Sequence, residues 1–596
     1  MIRKEQQRTV YCGEVKEDSF VNKRIVVNGW VQNYRDHGDL TFIDLRDRTG
    51  IVQLVFDPKT DPVAHSVAKK VRSEDVITAS GVVHPRTEEN INPKILTGRF
   101  EVKCDTIEIL SKSKTPPFQI DQDEINEEVR LKYRYLDIRR PFMYRNLSVR
   151  HKITSIVRSF LDKNGFLEIE TPILNKSTPE GARDFLVPSR LAHGKFYALP
   201  QSPQIFKQLL MIGGIERYFQ IAKCFRDEDL RSDRQPEFTQ IDIEMSFITE
   251  NDIMSLMEEM IFKILKEVYD KEVKIPFRRM TYKEAMDKYA SDRPDLRFWL
   301  EIVDVTDIGA RSDFTVFKSV AEKGGMIKCL PVPEGSRLSR KDLDDLIAFV
   351  GKYGAKGMAW MRVKEGKLES NIVKYFSPEI QNELVKVTGA KDDYTLLFIG
   401  DVKKKIVYDA ISNLRLNIAE RFNLRKKDVL EFLWVVDFPL FEWNEEENRY
   451  DSVHHPFTAP RLEDLDLLEK DPLSVRSLSY DLVLNGIELG GGSIRIHNTD
   501  LQKKIFSLLN ISEEEAQKKF GFLLEALSYG APPHGGLAFG LDRMVMEFEG
   551  LENIRDVIAF PKTQKGQDLM CDTPSEVTQK QLEELGIKIV EYKANK

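Results

Sequence analysis

The fold is decided by the stretch Gly535-Gly536-Leu537-Ala538-Phe539-Gly540-Leu541-Asp542-Arg543, a glycine-rich apolar run that turns into a helix. The pattern predicts a strand that ends at Gly540 and a helix that begins near Leu541. Arg543 then lies in the first helical turn, where the helix dipole does not favour a cation. This suggests an anion shared between Arg543 and the exposed N–H groups, and the glycines would let the backbone approach a ligand closely. An ordinary strand-to-helix turn is the alternative.

A second stretch predicts an antiparallel hairpin whose loop carries charge. Tyr218–Phe225 is apolar, Arg226–Pro236 is dense in charged residues, and Glu237–Phe247 alternates between apolar and polar residues. The loop is longer than a turn requires, which indicates a function. The Arg226 guanidinium can bind phosphate oxygens bidentately, and the Glu228 carboxylate can accept a hydrogen bond from an amine.

Residues 21–110 have the pattern of an all-β unit. Runs rich in β-branched and aromatic residues predict five strands: Arg24–Trp30, Leu40–Leu45, Ile51–Phe56, Asp75–Val83 and Phe100–Leu110. A helical stretch, Pro62–Arg72, lies between the third strand and the fourth. Five strands with a helix after the third is the order of an OB barrel, a fold that often binds oligonucleotides. A generic small barrel is the alternative.

The sequence pattern changes several times in the middle of the chain. A helix is predicted from an apolar face made of Ile153, Ile156, Val157, Phe160 and Leu161. A strand-like run follows at Phe166–Leu174, which Pro172 suits to a sheet edge. Residues from about 290 to 425 carry glycine-rich breaks and few motif-like clusters, so we predict an inserted domain there. Strands return at Phe432–Phe438 and Ser479–Leu484.

Composition bounds the class of protein. The 596 residues are 41% hydrophobic and 31% charged, which is typical of a globular chain, and a single core rarely exceeds ~250–300 residues, so several domains are expected. No signal peptide is predicted, because the amino terminus has charges but no apolar h-region. No membrane span is predicted, because no apolar run of ~18 residues occurs. The five scattered cysteines predict reduced thiols rather than a zinc site or disulfides.

Charge is the least decisive feature. The net charge of −7 argues weakly against a nucleic-acid partner, but an acidic protein can bind RNA through a local basic patch. Between Arg130 and Lys152, eight Lys or Arg residues stand against the single acid Asp137. A solvated face is the usual meaning of such a run, and a hinge that contacts phosphates is the alternative.

The motifs together are more specific than any one of them. The Pro-bearing strand at Phe166–Pro172, the F-R-x-E of residues 225–228 and the G-L-x-R of residues 540–543 resemble the three signature motifs of class II aminoacyl-tRNA synthetases. With an OB-like barrel in front, the set resembles subclass IIb, the aspartate, asparagine and lysine enzymes. Longer matches resemble the family of bacterial-type aspartyl-tRNA synthetases: residues 178–185 (TPEGARDF), 200–208 (PQSPQIFKQ), 234–242 (RQPEFTQID), 454–458 (HHPFT) and 490–497 (GGGSIRIH).

The resemblance implies an α+β multidomain fold. It comprises an N-terminal OB-fold β-barrel, a class II antiparallel sheet flanked by helices, and an inserted α/β domain of the GAD type. The expected boundaries are 1–112 for the OB-fold anticodon-binding domain, 113–146 for a linker or hinge, 147–290 for the catalytic domain with motifs 1 and 2, 291–425 for the GAD-like insertion, 426–560 for the catalytic domain with motif 3, and 561–596 for a C-terminal extension.

The same resemblance implies a site for aspartate, ATP and Mg²⁺. Arg226 on the α-phosphate and Arg543 on the γ-phosphate are the expected catalytic residues. The expected ATP contacts are Arg226, Asp227, Glu228, Gln235, Phe238, Glu488, Gly540, Leu541, Asp542 and Arg543. The expected aspartate contacts are Glu180, Ser202, Gln204, Ile205, Phe206, Lys207, Arg226, Asp242, His454 and Arg495. Asp481 and Glu488 would supply the oxygen ligands that Mg²⁺ prefers.

Each matched position has a chemical reason. Arg495 can clamp the side-chain carboxylate of aspartate and Lys207 adds a second positive charge, whereas an enzyme for neutral asparagine would lose affinity through two buried cations. Asp242 and Glu180 can hold the ammonium. Protonation of His454 would link binding to pH. The alternatives are a solvent-side carboxylate for Asp242 and an exposed helix lysine for Lys207. Phe238 would stack on adenine or else belong to the core.

The barrel is expected to read the tRNA anticodon. Phe42 would stack on a base, or else belong to the barrel core, and Arg35, Gln53 and Glu101 would read base edges. The chain departs from the family at residues 32–35, which are Gln-Asn-Tyr-Arg where several arginines are often found.

Partner choice stays open on one point. The resemblance implies that the places of His37 and Glu89 bear on whether tRNA(Asn) is charged besides tRNA(Asp). The other expected partners are L-aspartate and a second copy of the chain, in a cytoplasmic homodimer without a membrane. The alternatives are an asparagine or lysine enzyme of the same subclass, a non-catalytic tRNA-binding paralogue that would be expected to lose Arg226 or Arg543, and a biosynthetic ligase that should lack the barrel.

Overall fold

The computed structural model describes residues 3–178, 182–426 and 428–590. The chain divides into two compact units, one of residues 1–148 and 555–576 and the other of residues 149–554 and 577–596. No helix in these described ranges is long and apolar enough to span a bilayer.

A closed five-stranded barrel dominates the first unit. It consists of β1 (Arg24–His37), β2 (Leu40–Asp47), β3 (Gly50–Phe56), β4 (Val76–Pro85) and β5 (Phe100–Ser111), with α1 (Pro62–Ala68) after β3. The strands close in the order β1-β2-β3-β5-β4, and only β3 and β5 run parallel among these pairs. The predicted OB order is confirmed. β1 is longer than predicted because its pairing with β2 continues to His37, beside the turn at Gly38.

Helices replace much of the expected linker. They are α2 (Glu127–Lys132), α3 (Arg134–Asp137) and α4 (Pro141–Lys163). Three arginines of the basic run converge on the fully buried Asp137: Arg134 Nη1 lies 2.6 Å from its Oδ2, and Arg130 Nε and Arg140 Nη1 lie 3.0 Å and 3.2 Å from its Oδ1. These three arginines form neither the solvated face nor the hinge contacting phosphates that the sequence suggested. Their charge instead compensates the buried carboxylate.

The second unit begins with short strands and long helices. The strands are β6 (Leu167–Glu168), β7 (Leu186–Pro188), β8 (Phe196–Ala198), β9 (Arg217–Phe225), β10 (Glu237–Ser246) and β11 (Arg278–Thr281). The helices are α5 (Gln204–Ile212), α6 (Glu250–Tyr269) and α7 (Tyr282–Tyr289). The predicted strand at Phe166–Leu174 is wrong in length, since pairing to β9 stops after Glu168, before Pro172.

An insertion follows with a sheet of its own. Its strands are β12 (Val303–Asp304), β13 (Met326–Val332), β14 (Ala359–Lys364), β15 (Lys367–Glu369) and β16 (Thr395–Asp401), in the antiparallel order β12-β13-β16-β14-β15. Its helices are α8 (Thr306–Arg311), α9 (Thr315–Glu322), α10 (Arg340–Gly351), α11 (Pro378–Thr388) and α12 (Lys404–Arg421). We call β12–β16 with α8–α12 the inserted unit.

The chain then returns to the main sheet. The remaining strands are β17 (Phe432–Val436), β18 (Phe441–Asn444), β19 (Arg449–Ser452), β20 (Ser479–Leu484), β21 (Ile487–Ile494) and β22 (His534–Gly540). The remaining helices are α13 (Leu467–Lys470), α14 (Thr499–Leu508), α15 (Glu513–Leu527), α16 (Leu541–Phe548) and α17 (Gln579–Leu585). The main sheet has the order β11-β17-β20-β21-β22-β10-β9-β6, antiparallel except for its two edge pairs. The expected antiparallel sheet is confirmed.

Candidate active site

Strand β10 supplies the floor of a cavity of about 360 Å³. Successive strand residues point to opposite faces, so Phe238, Gln240 and Asp242 line the cavity while Ile241 and Ile243 are fully buried in the core. The alternation that predicted a strand therefore also sorts its polar side chains onto one face.

Two ion pairs lie side by side beneath the cavity. Lys207, on α5, places Nζ 2.8 Å from Asp242 Oδ1 and 3.3 Å from Glu244 Oε2. Arg495 donates to both oxygens of Glu244, from Nε at 2.9 Å and from Nη2 at 3.1 Å. All four side chains are at least 98% buried. The solvent-exposed alternatives for Asp242 and Lys207 are therefore wrong.

The two carboxylates, Asp242 and Glu244, differ in the direction in which their pKa values are shifted. Burial alone would raise the pKa of Glu244, but Arg495 and Lys207 outweigh it, and the pKa of Glu244 lies below its ordinary value. For Asp242, burial outweighs the attraction of Lys207, so its pKa is raised. Glu244 is thus the firmly ionised partner of both cations.

Glycines make room for these carboxylates. A Cβ on Gly536 would lie 1.9 Å from Glu244 Oε2, and a Cβ on Gly491 would lie 2.1 Å from Asp481 Oδ1. A Cβ on Gly535 would meet Ile494 Cδ1 at 2.6 Å. The sequence suggested that these glycines admit a ligand; at Gly535 and Gly536 they admit neighbouring protein groups instead.

Two histidines lie close to the buried cations Lys207 and Arg495. Burial and the charge of Arg495 lower the pKa of His454 to about 4 and the pKa of His455 well below its ordinary value. His455 Nε2 lies 2.6 Å from Arg495 Nη1 and accepts its hydrogen bond as a neutral ring. The expected link between His454 protonation and binding near neutral pH is not supported, because the ring stays uncharged there.

Two further arginines, Arg226 and Arg543, line the cavity. The Arg226 guanidinium lies 5.1 Å from the centre of the Phe238 ring, at the end of the hairpin that the sequence predicted. Arg543, in the first turn of α16, donates to the backbone oxygen of Glu488 at 2.9 Å and pairs with Asp233 at 3.3 Å. Motifs 2 and 3 therefore bring their arginines to one cavity.

Several polar atoms around this cavity are buried without a hydrogen-bond partner in the part of the chain that is described: Gln204 Nε2, Arg226 Nε, Asp242 Oδ2, Asp481 Oδ1 and Arg543 Nε. Unpaired buried polar atoms are costly. Two carboxylate oxygens and two guanidinium nitrogens without a partner among the described residues, around one cavity, fit a ligand that carries both an ammonium and phosphates.

Asp481 and Glu488 are suited to a hard divalent cation. Burial and the nearby charge of Glu488 raise the pKa of Asp481 well above its ordinary value. Mg²⁺ is commonly held by one or two carboxylates together with substrate phosphates, so this pair fits it. Within the described ranges, no group of three or more His, Cys, Asp or Glu residues could hold a metal by itself, and all five cysteines are free.

The structure places most of the predicted ligand contacts at this cavity, which is lined by Ser202, Gln204, Lys207, Arg226, Glu228, Gln235, Phe238, Asp242, His454, Asp481, Glu488, Arg495, Gly540, Asp542 and Arg543. Asp227, Ile205, Phe206 and Leu541 do not line it; Ile205 and Leu541 are buried in the core. Asp542 accepts the Thr239 N–H at 2.7 Å and pairs with Arg150. Glu180 lies outside the described residues.

The barrel brings its predicted anticodon residues onto one region. Arg35 is opposite Phe42 in the β1–β2 register and pairs with Asp44 at 3.0 Å. Phe42 is half-buried rather than in the core and makes an edge contact with His37, with ring centres 5.9 Å apart. Gln53 is buried, and Glu101 lies 3.9 Å from Arg86. Glu89 is exposed in the loop between β4 and β5.

The sequence did not single out several residues of this site. Glu244, His455, Ser493 and Asp233 contact the predicted arginines directly. The alternation along β10 was the one available signal for Glu244, because it places this residue on the face of Asp242.

Comparison with known proteins agrees with this arrangement. Residues 126–564 match the model for class II tRNA synthetases (D, K and N), and residues 25–110 match that for an OB-fold nucleic acid binding domain. The chain belongs to the class II tRNA synthetases. The resemblance that the motifs indicated is confirmed.

Relatives of this synthetase cover nearly its full length. It is 56% identical over 584 residues to the Aspartate--tRNA(Asp/Asn) ligase of Caldanaerobacter subterraneus subsp. tengcongensis, covering 98% of each chain. It is 55% identical to the Aspartate--tRNA ligase of Geobacillus kaustophilus, covering 98% of the synthetase and 99% of that relative.

Solved structures share the fold of the synthetase at low identity. Asparaginyl-tRNA synthetase from Pyrococcus horikoshii, complexed with asparaginyl-adenylate, gives a TM-score of 0.59 at 19% identity, covering 94% of this chain and 98% of that one. Aspartyl tRNA synthetase from Entamoeba histolytica gives a TM-score of 0.57 at 18% identity, covering 94% and 92%.

Proposed function

We propose that this synthetase is an aspartate–tRNA ligase, which activates L-aspartate with ATP and transfers it to tRNA(Asp). The observation that carries the proposal is the buried set of two cations and two anions, Lys207 and Arg495 with Asp242 and Glu244, beside the cavity. The full-length relatives, which are named as aspartate–tRNA ligases, support the same substrate.

Charge balance in this set favours aspartate over asparagine. An aspartyl group brings one ammonium and one side-chain carboxylate, which leaves the four buried charges balanced. An asparaginyl group brings the ammonium alone, and one buried charge would then lack a partner, which is strongly unfavourable. The ammonium would lie against Asp242 Oδ2, which has no hydrogen bond among the described residues, and the side-chain carboxylate would lie at Lys207 and Arg495.

Activation would take place between the amino-acid end and the arginines. An oxygen of the aspartate α-carboxylate attacks the α-phosphorus of ATP in line, the bond to the β-phosphate breaks, and pyrophosphate leaves. Arg226 and Arg543 stabilise the negative charge that develops on the phosphates, and Phe238 offers a ring face to adenine. Mg²⁺, held by Asp481 and Glu488, would supply further positive charge for the phosphates.

Transfer would use the tRNA 3′-terminal hydroxyl. It attacks the carbonyl carbon of the mixed anhydride, an ester bond forms, and AMP leaves. The barrel would hold the anticodon, with Phe42 stacking on a base and Arg35, Gln53 and Glu101 reading base edges. A substrate of this kind is consistent with a cytoplasmic location.

We propose that tRNA(Asn) is also a substrate. The Caldanaerobacter relative, at 56% identity, is named for both tRNAs. His37 is exposed at the β1–β2 turn and Glu89 is exposed in the loop before β5, so both are accessible to an anticodon bound on the barrel.

We further propose a homodimer through the sheet edge at β6. Apolar side chains there are exposed to solvent: Leu167 is 54% exposed, Ile173 50%, Leu174 54% and Leu186 57%. A second copy that covers these residues would remove apolar area from water, which favours association. Sedimentation of the purified protein tests this.

Aminoacylation with purified tRNA(Asp) and tRNA(Asn), each with labelled aspartate and labelled asparagine, tests the function. We expect aspartate to be attached to both tRNAs and asparagine to neither. Attachment of asparagine would overturn the amino-acid assignment. Charging of tRNA(Asp) alone would overturn the proposal that tRNA(Asn) is a substrate and leave the proposal for tRNA(Asp) intact.

A further inference from the structure

A buried arginine of the inserted unit holds the segment that precedes this unit. Arg415, on α12, is 2% exposed. Its Nε donates to the backbone oxygen of Leu300 at 2.6 Å, and its Nη2 donates to those of Asp295 at 2.8 Å and Phe298 at 3.1 Å. The guanidinium lies between the rings of Phe298 and Tyr289, 4.1 Å and 4.8 Å from their centres. One side chain thus fixes residues 295–300 at three carbonyls.

That segment packs against a turn of the main sheet. A Cβ on Gly486 would lie 3.0 Å from the Cβ of Asp295, and Gly486 has a φ of +90°. Arg297 is held by Asp295 at 2.7 Å and reaches the backbone oxygen of Asn485 at 3.5 Å. A side chain at Gly486 would therefore be crowded against Asp295, besides the strain of the positive φ.

The same turn joins the two strands that carry the acidic pair. Asp481 lies on β20 and Glu488 on β21, and the register between these strands shifts at Leu482 and Val483. The backbone oxygen of Glu488 also accepts the hydrogen bond of Arg543 Nη1. A displacement of the turn would therefore move both carboxylates and a partner of Arg543 together.

We infer that Arg415 is a positioning residue for amino-acid activation: through residues 295–300 it holds the turn Asn485-Gly486, and with it Asp481, Glu488 and the contact of Arg543. The inserted unit is then part of the activation machinery rather than an appendage. The inference rests on the proposed function for its kinetic readout, but its structural readout is independent of that function.

The test compares Arg415→Met with a control in the same unit, using the full chain. Arg362→Met is the control, because Arg362 also donates to a backbone oxygen, that of Leu338, and lies 5.7 Å from the Trp360 ring centre. In Arg415→Met we expect faster hydrogen–deuterium exchange in peptides that cover residues 479–494. The KM for ATP in aspartate-dependent pyrophosphate exchange should rise roughly 10- to 100-fold, the scale of a small misplacement of reacting groups. The KM for aspartate should be little changed.

Gly486→Ala is the second variant, in case Arg415→Met does not fold. It perturbs the turn from its own side, and we expect the same pattern in both readouts. Unchanged exchange protection at residues 479–494 in a folded Arg415→Met, or an equal effect in Arg362→Met, would overturn the inference. So would a Gly486→Ala protein with a wild-type KM for ATP. A wild-type protein without aspartate-dependent pyrophosphate exchange would instead contradict the proposed function. The hydrogen–deuterium exchange of residues 479–494 would then decide the inference alone.

Discussion

Arg495 and Glu244, 251 residues apart in the chain, form a fully buried two-point hydrogen bond, from Nε to Oε1 at 2.9 Å and from Nη2 to Oε2 at 3.1 Å. Glu244 is the only acid that contacts both Arg495 and Lys207 in the part of the chain that is described. It therefore keeps two cations in place before any carboxylate ligand arrives.

Glu244→Gln should destabilise the protein by about 3–5 kcal/mol, because it leaves buried cations without their partner. The denaturant midpoint of the ligand-free protein measures this. The control is Asp105→Asn, since Asp105 accepts a similar forked pair from Arg24 at the surface and should cost about 0–1 kcal/mol. Equal losses in the two variants would show that burial does not govern the pair.

Arg543→Ala should lower aspartate-dependent ATP–pyrophosphate exchange by at least ~10²-fold, the scale for loss of a group that stabilises charge in the transition state. Arg476→Ala is the control, because Arg476 pairs with Asp464 and does not line the cavity. An Arg543→Ala protein that exchanges as fast as the control would remove Arg543 from the site.

Glu547 should make stability depend on pH. Burial raises the pKa of Glu547 to about 7, against the pull of Arg543. An acid whose pKa rises on folding keeps its proton longer in the folded chain, so stability is highest below the unfolded pKa and falls as pH rises through the folded pKa. Glu547→Gln removes this titration. Between about pH 5 and about pH 8, the variant should lose less stability than the wild type, by on the order of 1–3 kcal/mol.

Thermal unfolding of both proteins at the two pH values measures the difference. Parallel losses in wild type and variant would rule out Glu547 as the titrating group.

Phe42→Ala should separate the two half-reactions. Base stacking contributes about 1–3 kcal/mol per base, so the KM for tRNA(Asp) should rise about tenfold or more, while pyrophosphate exchange stays at the wild-type rate. The control is Phe20→Ala, since Phe20 packs against the core of the same barrel. A tRNA KM that rises equally in both variants would indicate damage to the barrel rather than loss of a base contact.

Local patterns predicted much of this fold. The alternation in residues 217–247 gave the hairpin of β9 and β10, and the glycine-rich run gave β22 and the start of α16 at Leu541. These elements depend on neighbouring residues, through strand periodicity and helix termini. The roles of the F-R-x-E and G-L-x-R arginines were predicted from the resemblance to the class II motifs, since neither motif is specific by itself.

Other features depend on partners far along the chain. Glu244 looks like a solvent-side acid in its own strand, and its burial depends on Lys207 of α5 and on Arg495, which follows β21. Arg415 looks like any helix arginine, and its three acceptors lie 115 to 120 residues earlier. The basic run after Arg130 likewise gave no sign that Asp137 would be buried among its arginines.

The glycines of β21, which line the cavity without side chains, have a consequence for drug resistance. A Cβ on Gly490 would lie 2.4 Å from the Ala538 oxygen, one on Gly492 would lie 2.0 Å from the Gly536 oxygen, and one on Gly491 would strike Asp481. An inhibitor that lies flat on this strand would contact main-chain atoms, which a side-chain substitution does not remove. A larger residue at any of the three glycines would itself collide with neighbouring atoms of the enzyme. Escape from such a compound would have to come from the surrounding walls, where the substrates also bind.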